Sequence, residues 1–123
     1  MRAAKPDLPV AFADDGIDLR AIEWGGMNVG LESFPAGLDT APLFRGLPDD
    51  RCQCPHWGYV IRGRLRVSYG DREEVLAAGD AYYLAPGHTI AMLEPSEIVE
   101  FSPRDPYRET LEVAERNIAA MQG

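Results

Sequence analysis

An all-β barrel or sandwich followed by one C-terminal helix is the fold this sequence predicts, and three observations predict it. Glycine (12) and proline (10) are scattered through the 123 residues rather than repeated, so turns punctuate the chain into many short segments. Those segments are mostly four to eight residues long with turn residues between them, a regular spacing that suits a sandwich or barrel. Only the last stretch changes to a helical period. A chain of this length makes one domain around one core.

Taken in order, the strands are expected at Leu19–Trp24, Met27–Phe34, Ala41–Phe44, Trp57–Ile61, Leu65–Tyr69, Glu74–Leu76, Ala81–Leu84, Thr89–Leu93 and Ile98–Ser102. Residues 1–18 read as an N-terminal arm or an edge strand exchanged between subunits, 19–104 as the barrel and 105–123 as the helix. The clearest local signal is Leu65-Arg66-Val67-Ser68-Tyr69, whose alternation ends at Gly70-Asp71, a pair suited to a tight hairpin turn. Leu65, Val67 and Tyr69 are expected to face inward, with Arg64, Arg66 and Ser68 facing water. At the C-terminus Asp105 is read as a helix cap and Pro106 as a first-turn residue. Tyr107, Leu111, Ala114, Ile118 and Met121 then recur at helical spacing, a stripe expected to pack on the barrel or against a partner subunit.

Charge and hydropathy exclude several function classes. Twelve basic residues against 20 acidic ones give a net charge of −8, which repels a phosphate backbone or an anionic membrane surface. Nucleic acid is therefore not an expected partner. No apolar run of about 18 residues spans a bilayer, and Lys5 and Pro6 interrupt any signal-peptide core, so a cytoplasmic protein is expected. Cys52 and Cys54 are too close in sequence for a disulfide between them to staple the fold.

The chain holds two histidines and two cysteines, and three of these four fall in Cys52-Gln53-Cys54-Pro55-His56. Side chains at alternate positions of an extended segment share a face at a separation of about 6.6 Å, so two neighbours can reach one metal ion. Pro55 can supply the break that a third would need. The fourth residue, His88, lies in the turn sequence Ala85-Pro86-Gly87-His88. A Cys/His set suits zinc, iron or copper better than manganese or magnesium. The alternative reading is a pair of buried cysteines and a histidine bonded to a backbone carbonyl. By alternation from His56, Gly58 and Val60 point inward while Trp57 and Tyr59 point outward, toward a subunit interface. Tyr82 and Tyr83 are adjacent on one strand, so one of them faces the interior, where it would orient a substrate.

The stretch from Cys52 to Leu93 resembles the cupin family. His56-Trp57-Gly58-Tyr59-Val60-Ile61-Arg62-Gly63 is similar to the second half of the first cupin motif, in which a glutamate is followed, after six residues, by a turn glycine. Gly79-Asp80-Ala81-Tyr82-Tyr83-Leu84-Ala85-Pro86-Gly87-His88 is similar to the second motif. The resemblance implies a cupin-type jelly-roll β-barrel with a C-terminal α-helix, a homodimer, and a divalent metal with a small organic ligand inside the barrel. The departures matter. His56 occupies the glutamate position, Ile90 stands where the second motif has its histidine, and His88 comes two residues early. A site of three histidines and one glutamate is therefore absent. Either the set is rebuilt from Cys52, Cys54, His56 and His88, holding zinc or iron, with Tyr82 or Tyr83 as the substrate contact, or the barrel has lost its metal; the rebuilt set is the expectation.

Three functional readings follow. The first is a metal-dependent enzyme of isomerase, lyase, cyclase or dioxygenase type, with the thiols arguing against oxygen chemistry. The second is a non-catalytic small-molecule-binding or redox-sensing module. It is favoured by the lack of any carboxylate left over as a general base, the nearest acids, Asp50 and Glu94, reading as surface residues. The third is a metal-free isomerase using His88 with a barrel tyrosine.

Overall fold

Alternation places apolar side chains from two sheets against each other, and the core lies between those sheets. The computed structural model describes residues 1–122. Its strands are β1 (Val10–Asp14), β2 (Ile17–Trp24), β3 (Met27–Phe34), β4 (His56–Arg62), β5 (Arg64–Ser68), β6 (Glu73–Ala77), β7 (Ala81–Leu84), β8 (Thr89–Met92) and β9 (Ser96–Pro103). They are followed by helix α1 (Arg104–Gln122). All pairings are antiparallel, in a six-stranded sheet ordered β1-β2-β3-β9-β4-β7 and a three-stranded sheet ordered β6-β5-β8. Val60, Tyr82, Leu84 and Ile98 from the larger sheet meet Leu65, Val67, Leu76 and Met92 from the smaller one. This is a jelly-roll arrangement, in which β9 returns to lie between β3 and β4.

Leu65 and Val67 are buried and Arg64 and Arg66 exposed, as their alternation predicts. The turn between β4 and β5 needs glycine. Gly63 has φ +98°, and a Cβ there would lie 2.2 Å from Ser96 Oγ and 2.5 Å from the Pro95 carbonyl oxygen.

Two expectations need correction. Ala41–Phe44 is a 3-10 turn rather than a strand, because Pro42 lacks the N–H a ladder needs. The turn carries Phe44 into a second apolar cluster with Cys52 and Cys54. Asp105 does not cap α1 but lies in its first turn, since the helix begins at Arg104 directly after β9. A carboxylate there still favours the positive end of the helix dipole, and Pro106 lacks only a hydrogen the first turn would not use.

Within residues 1–18 the chain forms a short turn at Lys5–Asp7 and the edge strand β1, paired with β2 of the same chain. Lys5 pairs with Glu97 and donates to Ser33 Oγ, which fixes this segment to the sheet. The side chain of Asn117 donates to the carbonyls of Leu43 and Arg45 at 2.7 and 2.9 Å, tying α1 to the 3-10 turn over one end of the barrel. The last residue of the segment 105–123, Gly123, lies outside the described residues. Among the described residues no helix is long and apolar enough to cross a membrane.

Candidate metal centre

The six-stranded sheet reverses the usual pattern along β3 and β9. Asn28, Gly30 and Glu32 face inward on β3, as do Ser96, Ile98, Glu100 and Ser102 on β9, and all are buried. One row of cross-strand partners runs Gly30, Glu100, Gly58, Tyr82. The two glycines flanking Glu100 leave room above the sheet. Tyr82 crosses Gly58 and donates its hydroxyl hydrogen to Glu100 Oε1 at 2.8 Å.

Next to this row, three chemistry-bearing side chains converge. The donor atoms of Cys52, His56 and His88 all lie within 4.8 Å of one another, and all three residues are buried. Backbone pairing holds two of them together: Cys52 and His88 form an isolated antiparallel bridge, with Cys52 N–H donating to the His88 carbonyl at 2.9 Å. His56 opens β4 and places Nε2 3.5 Å from Cys52 Sγ, while its Nδ1 lies 2.6 Å from Ser102 Oγ and 3.7 Å from Glu100 Oε2. The His56 and His88 rings meet edge to face, with centroids 5.1 Å apart.

Burial keeps both imidazoles neutral by holding their pKa values down to about 4. His88 Nδ1 therefore donates to the Ala85 carbonyl at 2.7 Å, leaving Nε2 with a lone pair and no N–H. That Nε2 is the one buried side-chain nitrogen or oxygen among the described residues that has no hydrogen-bond partner. In His56 the tautomer that donates from Nδ1 to Ser102 likewise leaves the Nε2 lone pair facing Cys52.

These atoms fit a divalent cation. Tetrahedral zinc with its usual sulfur and nitrogen distances separates those two ligands by about 3.6 Å, and Cys52 Sγ and His56 Nε2 lie 3.5 Å apart. Each imidazole is oriented through its other nitrogen, as metal-bound histidines are. Burial raises the Cys52 thiol to about 11, so its thiolate forms only if a cation displaces the proton.

Cys54 is not part of this cluster. It is fully buried beside Phe44, its thiol donates to the Pro55 carbonyl at 3.3 Å, and burial pushes its pKa up to about 12. The two tyrosines separate as alternation requires. Tyr82 faces the interior, whereas Tyr83 is 50% exposed and packs on Trp57 on the outer face, ring centroids 5.3 Å apart.

A cavity of about 130 Å³ adjoins the cluster. Cys52, His56, His88, Glu32 and Glu100 line it, and Tyr107, Leu111 and Ala114 of α1 close it. Glu32 and Glu100 correct the expectation that no acid is left over as a base. Burial first, then the neighbouring Glu100 carboxylate, lifts Glu32 well above the ordinary range. Burial lifts Glu100 as well, against the bonds from Glu32 and Tyr82. Two carboxyls so placed resist ionising together. Asp50 and Glu94 are surface residues. The signal for Glu32, Glu100 and Ser102 was present in the sequence as acids and hydroxyls alternating with Val29, Leu31, Val99 and Phe101, but alternation alone does not say which face is inside.

No protein-family model matches the chain, and no curated protein matches it. Solved structures do. An RmlC-like cupin from Shewanella frigidimarina is 16% identical with a TM-score of 0.61, over 85% of this chain and 93% of that one. KdgF from a Halomonas species is 22% identical with a TM-score of 0.57, over 82% of this chain and 93% of that one. A putative ethanolamine utilization protein from Salmonella typhimurium is 12% identical with a TM-score of 0.60, over 83% and 85% of the two chains. The fold is therefore the cupin jelly roll. Its candidate centre is a buried Cys/His/His cluster able to hold a metal ion.

Proposed function

We propose that this cupin binds one divalent metal, zinc or iron, through Cys52, His56 and His88, and acts on a small organic molecule in the adjoining cavity as a metal-dependent enzyme of isomerase, lyase or cyclase type. The observation that carries the reading is the orphaned Nε2 of His88, a residue buried in one cluster with Cys52 and His56. Three protein ligands leave a coordination position open, the pattern of catalytic rather than structural zinc. Bound there, the metal would supply Lewis acidity toward a carbonyl or hydroxyl oxygen.

The chain's own residues do the rest. The Glu32–Glu100 pair, held toward the protonated form, can give a proton to a substrate oxygen and, once ionised, take one from a substrate carbon or oxygen. Tyr82 fixes the orientation of Glu100, and Ser102 that of His56. The wall formed by Tyr107, Leu111 and Ala114 limits water around the pair. This acid–base pair supports an enzyme over a passive ligand binder. Burial of both thiols, raised to about 11 and 12, counts against a redox sensor, which needs accessible thiolate.

A cytoplasmic homodimer is part of the same reading. Across the outer face of the large sheet, Val29, Phe101, Trp57 and Tyr83 are cross-strand partners in one row, and Leu31, Val99, Tyr59 and Ala81 in the next. Such a continuous apolar face suits a second copy.

The reading is tested by metal content per chain after purification in reductant. Near one zinc or iron per wild-type chain is expected, with Cys54→Ser retaining it and Cys52→Ser and His88→Ala losing it. A metal-free wild type after metal is offered would overturn it.

A further inference from the structure

The cavity beside the metal centre does not end there. It adjoins a second space of about 70 Å³, with Leu19, Phe34, Thr40, Leu43, Leu111 and Ala114 lining both. That space in turn shares Phe12, Ile17, Leu38, Leu43 and Ile118 with an open cleft of about 500 Å³ at the β1–β2 turn and the C-terminal end of α1. The three spaces follow one another under α1, from Cys52 and His88 to the surface, each sharing lining residues with the next. The apolar stripe of the helix faces this path, and that explains why Leu111 and Ile118 are only half-buried although they lie on it.

Walls and charges define what fits. The middle of the path is aliphatic and aromatic apart from Thr40 and Glu115. Every charged side chain along it is acidic: Glu32 and Glu100 at the inner end, Glu115 midway, and Asp14 and Asp15 at the mouth. Among the described lining residues there is no lysine or arginine, so an anionic head would enter with no protein cation to meet it. An apolar void left empty forfeits dispersion contacts on both walls, and a hydrocarbon chain restores them.

We propose that the path is a binding channel for a molecule with an alkyl or aryl tail and a neutral or cationic head, such as an amine or alcohol, seated head-inward at Glu32 and Glu100 with its tail under α1. This rests on the reading that the cavity holds the small organic ligand, and it names that ligand's chemical class.

The test is calorimetric titration of zinc-loaded and chelator-stripped protein with straight-chain primary amines, alcohols and carboxylates from butyl to octyl, with zinc content measured on the same samples. Amines and alcohols should tighten by about fourfold per added methylene, the value of burying one CH₂, and in the chelator-stripped protein, where no metal meets the head, carboxylates of equal length should bind at least tenfold more weakly. Ile118→Glu, at a half-buried position of the outer channel, should abolish the dependence on length for the longer chains while zinc content stays unchanged. Ala114→Trp, which fills the space between the inner cavity and the next, should weaken the binding of every chain length. Affinity independent of length, or unchanged in both variants, overturns the channel. Carboxylates binding the stripped protein as tightly as amines overturn the assignment of the head. Stoichiometric zinc with no binding of any chain overturns the inference and leaves the metal reading standing, whereas length-dependent binding without zinc does the reverse.

Discussion

Gly58→Ala is the smallest change that strains the site, and its cost follows from the geometry. A Cβ at position 58 would lie 2.5 Å from Tyr82 Cζ, Tyr82 Oη and the Val99 carbonyl oxygen, where ordinary contacts need about 3.5–4.0 Å. Roughly 1 Å must open. The Val99 oxygen belongs to β9 and retreats only if the β4–β9 pairing loosens. Tyr82 can swing away, but a 1 Å displacement breaks its 2.8 Å bond to Glu100. Overpacking costs about 1–3 kcal/mol, and losing a hydrogen bond to a buried carboxyl about 1.5–3 kcal/mol. A destabilisation of about 3–5 kcal/mol is expected, a fall in Tm of roughly 10–20 °C. Gly30→Ala makes the same chemical change on the other side of Glu100 with a different result. Its Cβ would meet Glu32 Cγ at 3.4 Å, an ordinary contact, and removing a glycine from the unfolded chain stabilises by about 0.4–1 kcal/mol. Urea unfolding of the metal-free proteins followed by circular dichroism measures both. Gly58→Ala within about 0.5 kcal/mol of wild type, or Gly30→Ala equally damaging, would refute the reasoning.

Other predictions follow from the same contacts. In metal-free protein, the folded state holds His56 and His88 at about 4 against an ordinary 6.5. The unfolded chain therefore binds more protons between those values, and stability is lost as pH falls from 6.5 to 4, on the order of 3 kcal/mol per histidine. Glu32 and Glu100 act in the opposite sense. Their folded pKa values are raised, so their contribution is complete below about 4.5 and declines as pH rises through the folded values. Denaturant titrations from pH 4 to 9 should thus show a maximum, and Glu32→Gln should flatten its alkaline side while leaving the acid side intact; an unchanged alkaline side contradicts this. Ser102→Ala removes the 2.6 Å partner of His56 Nδ1 and should weaken zinc about 10–100-fold in chelator competition with the fold retained. Tyr59→Glu should convert the expected dimer to a monomer in sedimentation without loss of zinc, since Tyr59 is 46% exposed on the outer face.

Much of this was legible in the sequence because strand period and turn chemistry are local. The Leu65–Tyr69 alternation, the turn glycine Gly63 and the change of period near residue 105 all reported structure correctly. What was not legible depends on which face of a strand is covered. Met27–Phe34 reads as well with Val29 and Leu31 inside as with Asn28 and Glu32 inside, because period two fixes alternation but not its phase. The inner acids were missed for that reason, and so was the extension of the apolar outer face from Trp57 and Tyr59 to Val29, Leu31, Val99 and Phe101. The same ambiguity covered Tyr82 and Tyr83. Cys54 shares a spacing with Cys52 and His56, but extended spacing ignores the path of the chain around Pro55, and the thiol turns to the Pro55 carbonyl instead. Ala41–Phe44 looked like a strand because Leu43 and Phe44 are apolar, yet those side chains fill a cluster beneath α1 that only the tertiary structure creates.

Cobalt substitution tests most directly whether a metal binds between Cys52, His56 and His88, because thiolate ligation has its own absorption. Chelator-stripped protein given one equivalent of Co²⁺ under reductant should develop a sulfur-to-cobalt charge-transfer band in the near ultraviolet, with visible bands of tetrahedral intensity. Cys54→Ser should keep both and Cys52→Ser should lose the charge-transfer band. A wild-type protein that shows no such band, or one whose band survives Cys52→Ser, would contradict the claim.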